Sequence, residues 1–417
     1  MRIAIVGTGI SGLYVAHHLA AEHDLVVFEA EDRPGGHTAT VSVEHEAKRY
    51  AIDTGFIVFN DKTYPNFVAL MDRLGIERQP SNMSFSVRND AKALAYRASN
   101  LNTFFAQRKN LLRPLLYRLL FDIVRFRAAL RQSLESSAPS GSLKELLDKG
   151  NYSENFIENF VVPMGSAIWS ADPNQLLESF PARFFAEFFH NHGFLNAINQ
   201  PQWQVIKGGS SAYLPALSKP FKDRIRLHSR VERIRRTSDA IFVKSQGQDE
   251  ERFDKVVIAT HSYQALAMLQ DPSEQEQTIL GAFRYQNNEV VLHTDESLLP
   301  LERRAWAAWN YRVLNQHTQP AVVTYWMNLL QGIHAPVNFF VTLNDSKSID
   351  PAKVLARFNY AHPVYTEAAV ALQKEQPNLC GLNHTYFCGA YWGYGFHEDG
   401  VNSARVVLDA LQQRMSA

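Results

Sequence analysis

Three glycines near the start of the chain, Gly7, Gly9 and Gly12, stand in the spacing G-x-G-x-x-G. That spacing suits a pyrophosphate. The first glycine turns tightly, the second lets backbone approach phosphate, and the third lets a helix pack on a strand. N–H groups at the positive end of the following helix then face the phosphates. Alone, the pattern is weak, because glycine-rich turns are common. Glu29 strengthens it: it ends a second apolar run, Leu25 to Phe28, where an acid would accept ribose hydroxyls. At the far end, His397 follows Tyr391, Trp392 and Tyr394. A histidine there would accept a proton or orient a substrate, or it would be a loop histidine bonded to backbone.

These residues need particular elements to hold them. Ile3 to Val6 reads as a buried strand and Leu13 to Ala21 as the helix after the turn. The 417 residues allow two or more domain-sized units, and 46% hydrophobic with 20% charged residues marks a globular chain. Lys plus Arg equals Asp plus Glu, 42 each, which gives no case for nucleic acid. Cys380 and Cys388 make no disulfide framework and no metal-type spacing, so no metal is expected. A strand beginning at residue 3 leaves no room for a cleavable leader, and no long uncharged apolar run is present. The expected location is cytoplasmic.

After Glu29 the chain reads Glu-Ala-Glu-Asp-Arg-Pro-Gly-Gly-His, residues 29–37. This resembles the flavin-dependent amine oxidase, protoporphyrinogen oxidase and phytoene desaturase superfamily. The resemblance implies FAD, with Glu29 on the ribose and Arg33, Gly35 and Gly36 at the pyrophosphate. His37 stands where the family usually has arginine. Plain NAD binding would not require the Gly-Gly doublet. Tyr50 to Asn60 is similar to the segment that runs beside the flavin ring, with Gly55 permitting close approach and Phe56 walling the ring. Gly208, Gly209 and Leu214 match the family's Gly-Gly-x-x-x-Leu, and Val231 the strand meeting the adenine. Thr385 to Val401 resembles the closing FAD motif, with Gly389 ending a strand, Val401 N–H facing the flavin and a helix from Asn402 to about Gln413. Ser11, Ala30, Thr54 and Glu398 complete the implied cofactor set. His397 and Tyr394 are the candidate catalytic residues. Amine oxidases carry a lysine at the start of the strand equivalent to Glu289–Thr294; here Asn288 and Glu289 stand there.

Residues 61 to about 200 differ in character. Thr63 to Leu74 reads as a helix and Ser136 to Ser142 as a loop. Phe104 to Arg131 carries leucines at helical spacing among seven cations, with Asp122 its one acid and Pro114 at a helix start or kink. Such a helix can lie on an anionic membrane, or it packs on its own domain with a solvated basic face. The phenylalanines of Phe160 to Pro173 and Phe180 to His190 suit a cavity for a long apolar substrate, or a packed helical core. Alternation in 289–294, 321–326 and 338–343 predicts strands of a mixed sheet with helices on one side.

The expectation is an α/β fold, a Rossmann-like FAD-binding domain (1–62, 202–266 and 380–417) with an inserted α+β substrate domain (63–201 and 267–379). The resemblance implies hydride transfer from a substrate C–H to flavin N5. Segments 53–60, 325–331 and 396–400 resemble a bacterial subgroup associated with cyclopropane fatty acyl synthases, which implies a lipid acyl substrate and desaturase-like chemistry. A small-amine oxidase and a non-catalytic flavoprotein binding lipid or a partner enzyme are the alternatives. Peripheral membrane contact would run through 104–131.

Overall fold

Ile3, Ala4 and Ile5 are completely buried because their strand has neighbours on both edges and layers on both faces. The structure is a computed structural model and describes residues 1–135, 141–169, 171–195, 201–314 and 321–415. Most of the segment expected as the Ser136–Ser142 loop, residues 136–140, lies outside the described residues. The central strand, Arg2–Val6, pairs in parallel with Asp24–Phe28 and Lys255–Ile258. Ile225–Arg226 and Thr385–Phe387 complete a five-stranded parallel sheet. Near-continuous apolar runs are what a sheet covered on both faces requires. One face packs on helices Ile10–Leu19 and His397–Met415. The other packs on an antiparallel sheet of Val231–Arg236, Ile241–Ser245 and Glu251–Phe253.

A second, larger layer system carries the rest of the chain. Seven strands form a mixed sheet in the order Val354–Val364, Arg284–His293, Phe340–Leu343, Val322–Trp326, Trp309–Val313, Phe85–Asn89 and Leu94–Arg97. One pair in it is parallel, Trp309–Val313 with Phe85–Asn89. Helices Pro114–Glu135, Val162–Trp169 and Ala182–Asn191 share a core with one face of this sheet. A small sheet of Val58–Asn60, Trp203–Ile206 and Arg78–Pro80 stitches the two systems together.

Several elements differ from expectation. The hairpins Thr40–His45/Lys48–Asp53 and Phe85–Asn89/Leu94–Arg97 were not anticipated. Their strands are short, four to six residues each, too few for periodicity to stand out. The strand expected at Glu289 begins at Arg284, because it pairs along its full length with Val354–Val364. The basic segment is not one helix. A short helix Leu101–Phe104 and a 3₁₀ turn Arg108–Leu112 precede Pro114, which starts the long helix. The last helix begins at His397, not Asn402, because Asp399 accepts the Phe396 N–H at 2.9 Å and folds the preceding loop onto the first turn.

One ion pair fastens the antiparallel sheet to helix Glu274–Gly281. Arg236 and Glu276 are almost fully buried and meet in two parallel bonds, with Asp271 as a further partner. Burial raises the cost of leaving either charge alone. Glu276→Gln should lower unfolding stability by about 3–5 kcal/mol in denaturant titration. A loss under about 1 kcal/mol, the size seen for exposed pairs, would show that the pair does not hold this layer.

Candidate functional site

The carboxyl ends of the parallel strands open on a cleft built largely from backbone. Gly7, at φ +102°, follows the first strand, and a Cβ there would lie 2.7 Å from the Ala259 carbonyl. At Gly12 a Cβ would lie 2.0 Å from the Gly7 carbonyl, so only glycine lets helix Ile10–Leu19 sit against this turn. Gly9 caps that helix, faces open space, and has no side-chain cap on the helix start. A helix N-terminus presented without a side-chain cap beside open space is the arrangement a pyrophosphate fits. The Gly35-Gly36 turn completes this corner. Gly35 N–H donates to the Thr8 carbonyl at 3.0 Å, and Gly36 packs on Gly9.

Glu29 is buried at the end of the second strand. One carboxylate oxygen accepts the Thr8 hydroxyl and the Thr8 N–H (3.1 Å), and the other accepts the Glu31 N–H at 3.0 Å. Its carboxylate is thus aimed into the phosphate turn. Ala30 beside it is exposed. Ser229 N–H donates to the Glu29 carbonyl at 2.7 Å, which brings the segment leading to Val231 to the same end of the sheet. These groups fit a dinucleotide with ribose at Glu29 and phosphates over Gly9 and Gly36.

Several expected side chains point elsewhere. Arg33 donates to the carbonyls of Thr38 (3.0 Å) and Gly36 (3.2 Å), so it braces the doublet turn. Ser11 donates to the Gly400 carbonyl at 2.9 Å and ties the first helix to the last. Glu398 accepts the Asn66 and Phe67 N–H groups, at 3.1 and 2.8 Å, and so caps helix Pro65–Leu74 from outside. The close approach at Gly55 is to protein: a Cβ there would lie 2.1 Å from the His37 carbonyl. That carbonyl accepts Phe56 N–H at 2.9 Å, while Thr54 bonds Ala39 and the Tyr360 hydroxyl. Val401 lies inside the last helix, so its N–H belongs to the helical ladder. The free positive end is formed by residues 397–399. Gly389 donates its N–H to Ser403 at 2.9 Å, and a Cβ there would strike the Tyr391 ring.

His397 is buried. Its Nε2 lies 2.9 Å from the Thr38 hydroxyl and 3.4 Å from the Tyr213 hydroxyl, and its ring stacks on Phe56 at 3.5 Å. Burial lowers its pKa to about 3, so it is neutral. Its nitrogen is already engaged, and the cationic form that a proton acceptor would become is strongly disfavoured. Tyr394 donates to Glu187 at 3.1 Å, and its ring lies 4.5 Å from Phe184. Phe396 faces Phe188 at 5.4 Å, and His192 stacks on Phe188 at 3.8 Å. Together these rings form an aromatic wall between helix Ala182–Asn191 and the start of the last helix.

Sequence reasoning missed the opposite wall. His37 is solvent-accessible, yet desolvation, with His362 adding to it, drives its pKa well below the ordinary value. Its Nε2 lies 3.4 Å from that of His362, and Tyr360 packs on its edge at 4.7 Å. His362 follows no motif and reaches His37 only through the pairing of Val354–Val364 with Arg284–His293. Asn288, on that strand, is buried and accepts from Asn344 at 2.8 Å, while Glu289 pairs with Arg357. No lysine occurs in strand Arg284–His293.

A family model described as flavin containing amine oxidoreductase matches residues 10–305. A Mycobacterium tuberculosis protein named "Putative flavin-containing monoamine oxidase AofH" is 25% identical over 284 residues. That match covers 65% of this chain and 59% of the relative, so the chain spans about three-fifths of that relative's length. Cyclohexylamine oxidase from Brevibacterium oxydans superposes with TM-score 0.70 at 16% identity, covering 100% of this chain and 99% of the other. A fatty acid isomerase from P. acnes that produces CLA superposes with TM-score 0.67 at 14% identity, covering 98% of each. At those identities the likeness is one of fold.

Asp53 joins the cleft to the larger sheet. Its carboxylate accepts Thr40 (2.6 Å), Ser210 N–H (2.8 Å) and Gln331 Nε2 (2.7 Å), and its N–H donates to Gln331 Oε1 at 3.0 Å. Burial pushes its pKa from 3.8 up to about 6, against the bonds from Thr40 and Ser210. Between those pH values the folded state keeps a proton that the unfolded chain has released. Stability from this group therefore falls as pH rises through the window, by about 3 kcal/mol. Asp53→Asn cannot titrate, so the stability gap between wild type and variant should widen by that amount from pH 7 to pH 4. A gap independent of pH in denaturant titration would show that Asp53 titrates normally in the fold.

Proposed function

The chain belongs to the flavin-containing amine oxidoreductase family, and on that premise we propose that it is an FAD-dependent oxidoreductase that oxidises a C–H bond of a lipid acyl chain. Bound flavin supplies the two-electron acceptor. The turn at Gly7, Gly9 and Gly12, Glu29 with Ala30, and the Gly35-Gly36 doublet would hold the adenine-side half. His37, Thr54, Gly55, Phe56 and the start of helix His397–Met415 would line the flavin half, with Val231 backing the adenine.

The aromatic wall carries the substrate reading. Half-buried Tyr394 and Phe396 lie against the buried rings of Phe184 and Phe188, an apolar surface on which an acyl chain would gain by leaving water. His397 and Tyr394 act as positioning residues. His397 keeps Phe56 and Thr38 in place, and Tyr394 is fixed by Glu187. Asn288 in place of the amine oxidase lysine, and the likeness of segments 53–60, 325–331 and 396–400 to the lipid-associated subgroup, point the same way. A small amine is the second reading, favoured by the names of AofH and cyclohexylamine oxidase.

Anaerobic mixing of the FAD-loaded protein with fatty acids, phospholipids and amines, following the visible flavin absorbance, separates the two. Acyl lipids should bleach the flavin, and Phe188→Ala should slow bleaching about tenfold or more with FAD retained. Bleaching by amines alone would overturn the acyl reading.

A further inference from the structure

Helix Pro114–Glu135 carries apolar residues on two opposite faces. The inner stripe, Leu116, Leu119, Ile123, Phe126 and Leu130, is buried, and Phe126 meets Phe185 at 6.1 Å. The outer stripe is Tyr117, Phe121, Val124 and Ala128, at i, i+4, i+7 and i+11, and is exposed. Phe121 is 55% exposed, Val124 66%, and Leu112, on the turn just before, 89%. Leu111 joins them, its carbonyl accepting the Tyr117 hydroxyl at 2.8 Å. A contiguous apolar surface of this kind marks a contact site.

The same surface is cationic in a chain that is neutral overall. Residues 108–131 hold seven Lys and Arg against one acid, Asp122, which is buried. Arg108 and Arg113 donate to backbone carbonyls, which orient the guanidinium groups without cancelling their charge, while Arg118 and Arg125 share the one acid, Asp122. Lys109 is exposed. We propose that Leu111, Leu112, Tyr117, Phe121 and Val124, ringed by these cations, dock the protein on an anionic lipid bilayer. The apolar stripe enters the headgroup boundary and the cations meet lipid phosphate. A second copy of the chain fits poorly, because a two-fold contact would set the same cations against each other. The docking stands whichever substrate the cleft takes.

The test is flotation of the FAD-loaded protein with phosphatidylglycerol/phosphatidylcholine vesicles and with phosphatidylcholine vesicles, together with analytical ultracentrifugation. Wild type should float with the anionic vesicles, and raised salt should weaken binding about tenfold. The combined variant Leu112→Gln, Phe121→Gln and Val124→Gln should lose at least tenfold in affinity while keeping its flavin absorbance, since all three side chains are exposed and glutamine suits a helix. Three results would each overturn the proposal: no flotation of wild type with anionic vesicles, undiminished flotation of the flavin-loaded variant, or a wild-type dimer that the variant converts to monomer.

Discussion

Backbone touching backbone is the constraint on which the cleft depends. At Gly12 and Gly55 a Cβ would fall about 2 Å from a carbonyl oxygen, of Gly7 and His37 respectively. At Gly400 it would meet Ile10 and Ser11, where the last helix crosses the first. No side-chain rearrangement relieves a clash with a carbonyl in the main chain, so the approaches at Gly12 and Gly55 are available to glycine alone. The three contacts draw residues 7–12, 35–39, 54–56 and 397–401 to one place. Hydrogen bonds then lock what the glycines allow: Ser11 to Gly400, Thr38 to His397, and Phe56 to His37.

The electrostatics of the cleft follow from the same closeness. Desolvation keeps His37, His261, His362 and His397 neutral at ordinary pH, and lifts Asp399 to about 7. The histidines therefore add no charge to the cleft, and the fixed dipoles of two helix starts, Ile10–Leu19 and His397–Met415, act there. A site of this kind favours an anionic or electron-accepting group held by backbone. The same cleft is rigidly referred to the larger sheet, because Asp53 and Gln331 exchange two hydrogen bonds across the boundary and Arg78–Pro80 pairs with Trp203–Ile206.

The sequence made the nucleotide half legible because its signals are local. Strand, turn, helix and Glu29 lie within thirty residues, and each glycine states its own steric reason. Side-chain direction was less legible. Ser11 and Glu398 sit where a cofactor contact was expected, yet their partners are 389 and 332 residues away in the chain. His362 could not be found at all, since register between two long strands is what carries it to His37. His397 was located but its role stayed open, because a sequence shows a histidine and not the Thr38, Tyr213 and Phe56 that enclose it.

Helix Pro114–Glu135 shows most sharply what periodicity leaves open. Its leucines and phenylalanines run nearly round the axis, so two apolar stripes compete for the interior. Asp122 decides between them. Burial pushes its pKa up, but the Ser153 hydroxyl (2.7 Å) and Arg118 (3.1 Å) more than offset this and hold it below the usual value. Arg125 closes the group from the next turn. Rotating the helix to bury Phe121 and Val124 would carry Asp122 away from Ser153 and expose Phe126 in exchange. One buried carboxylate thus selects the inward face and, by the same geometry, leaves the other apolar stripe facing outward among cations.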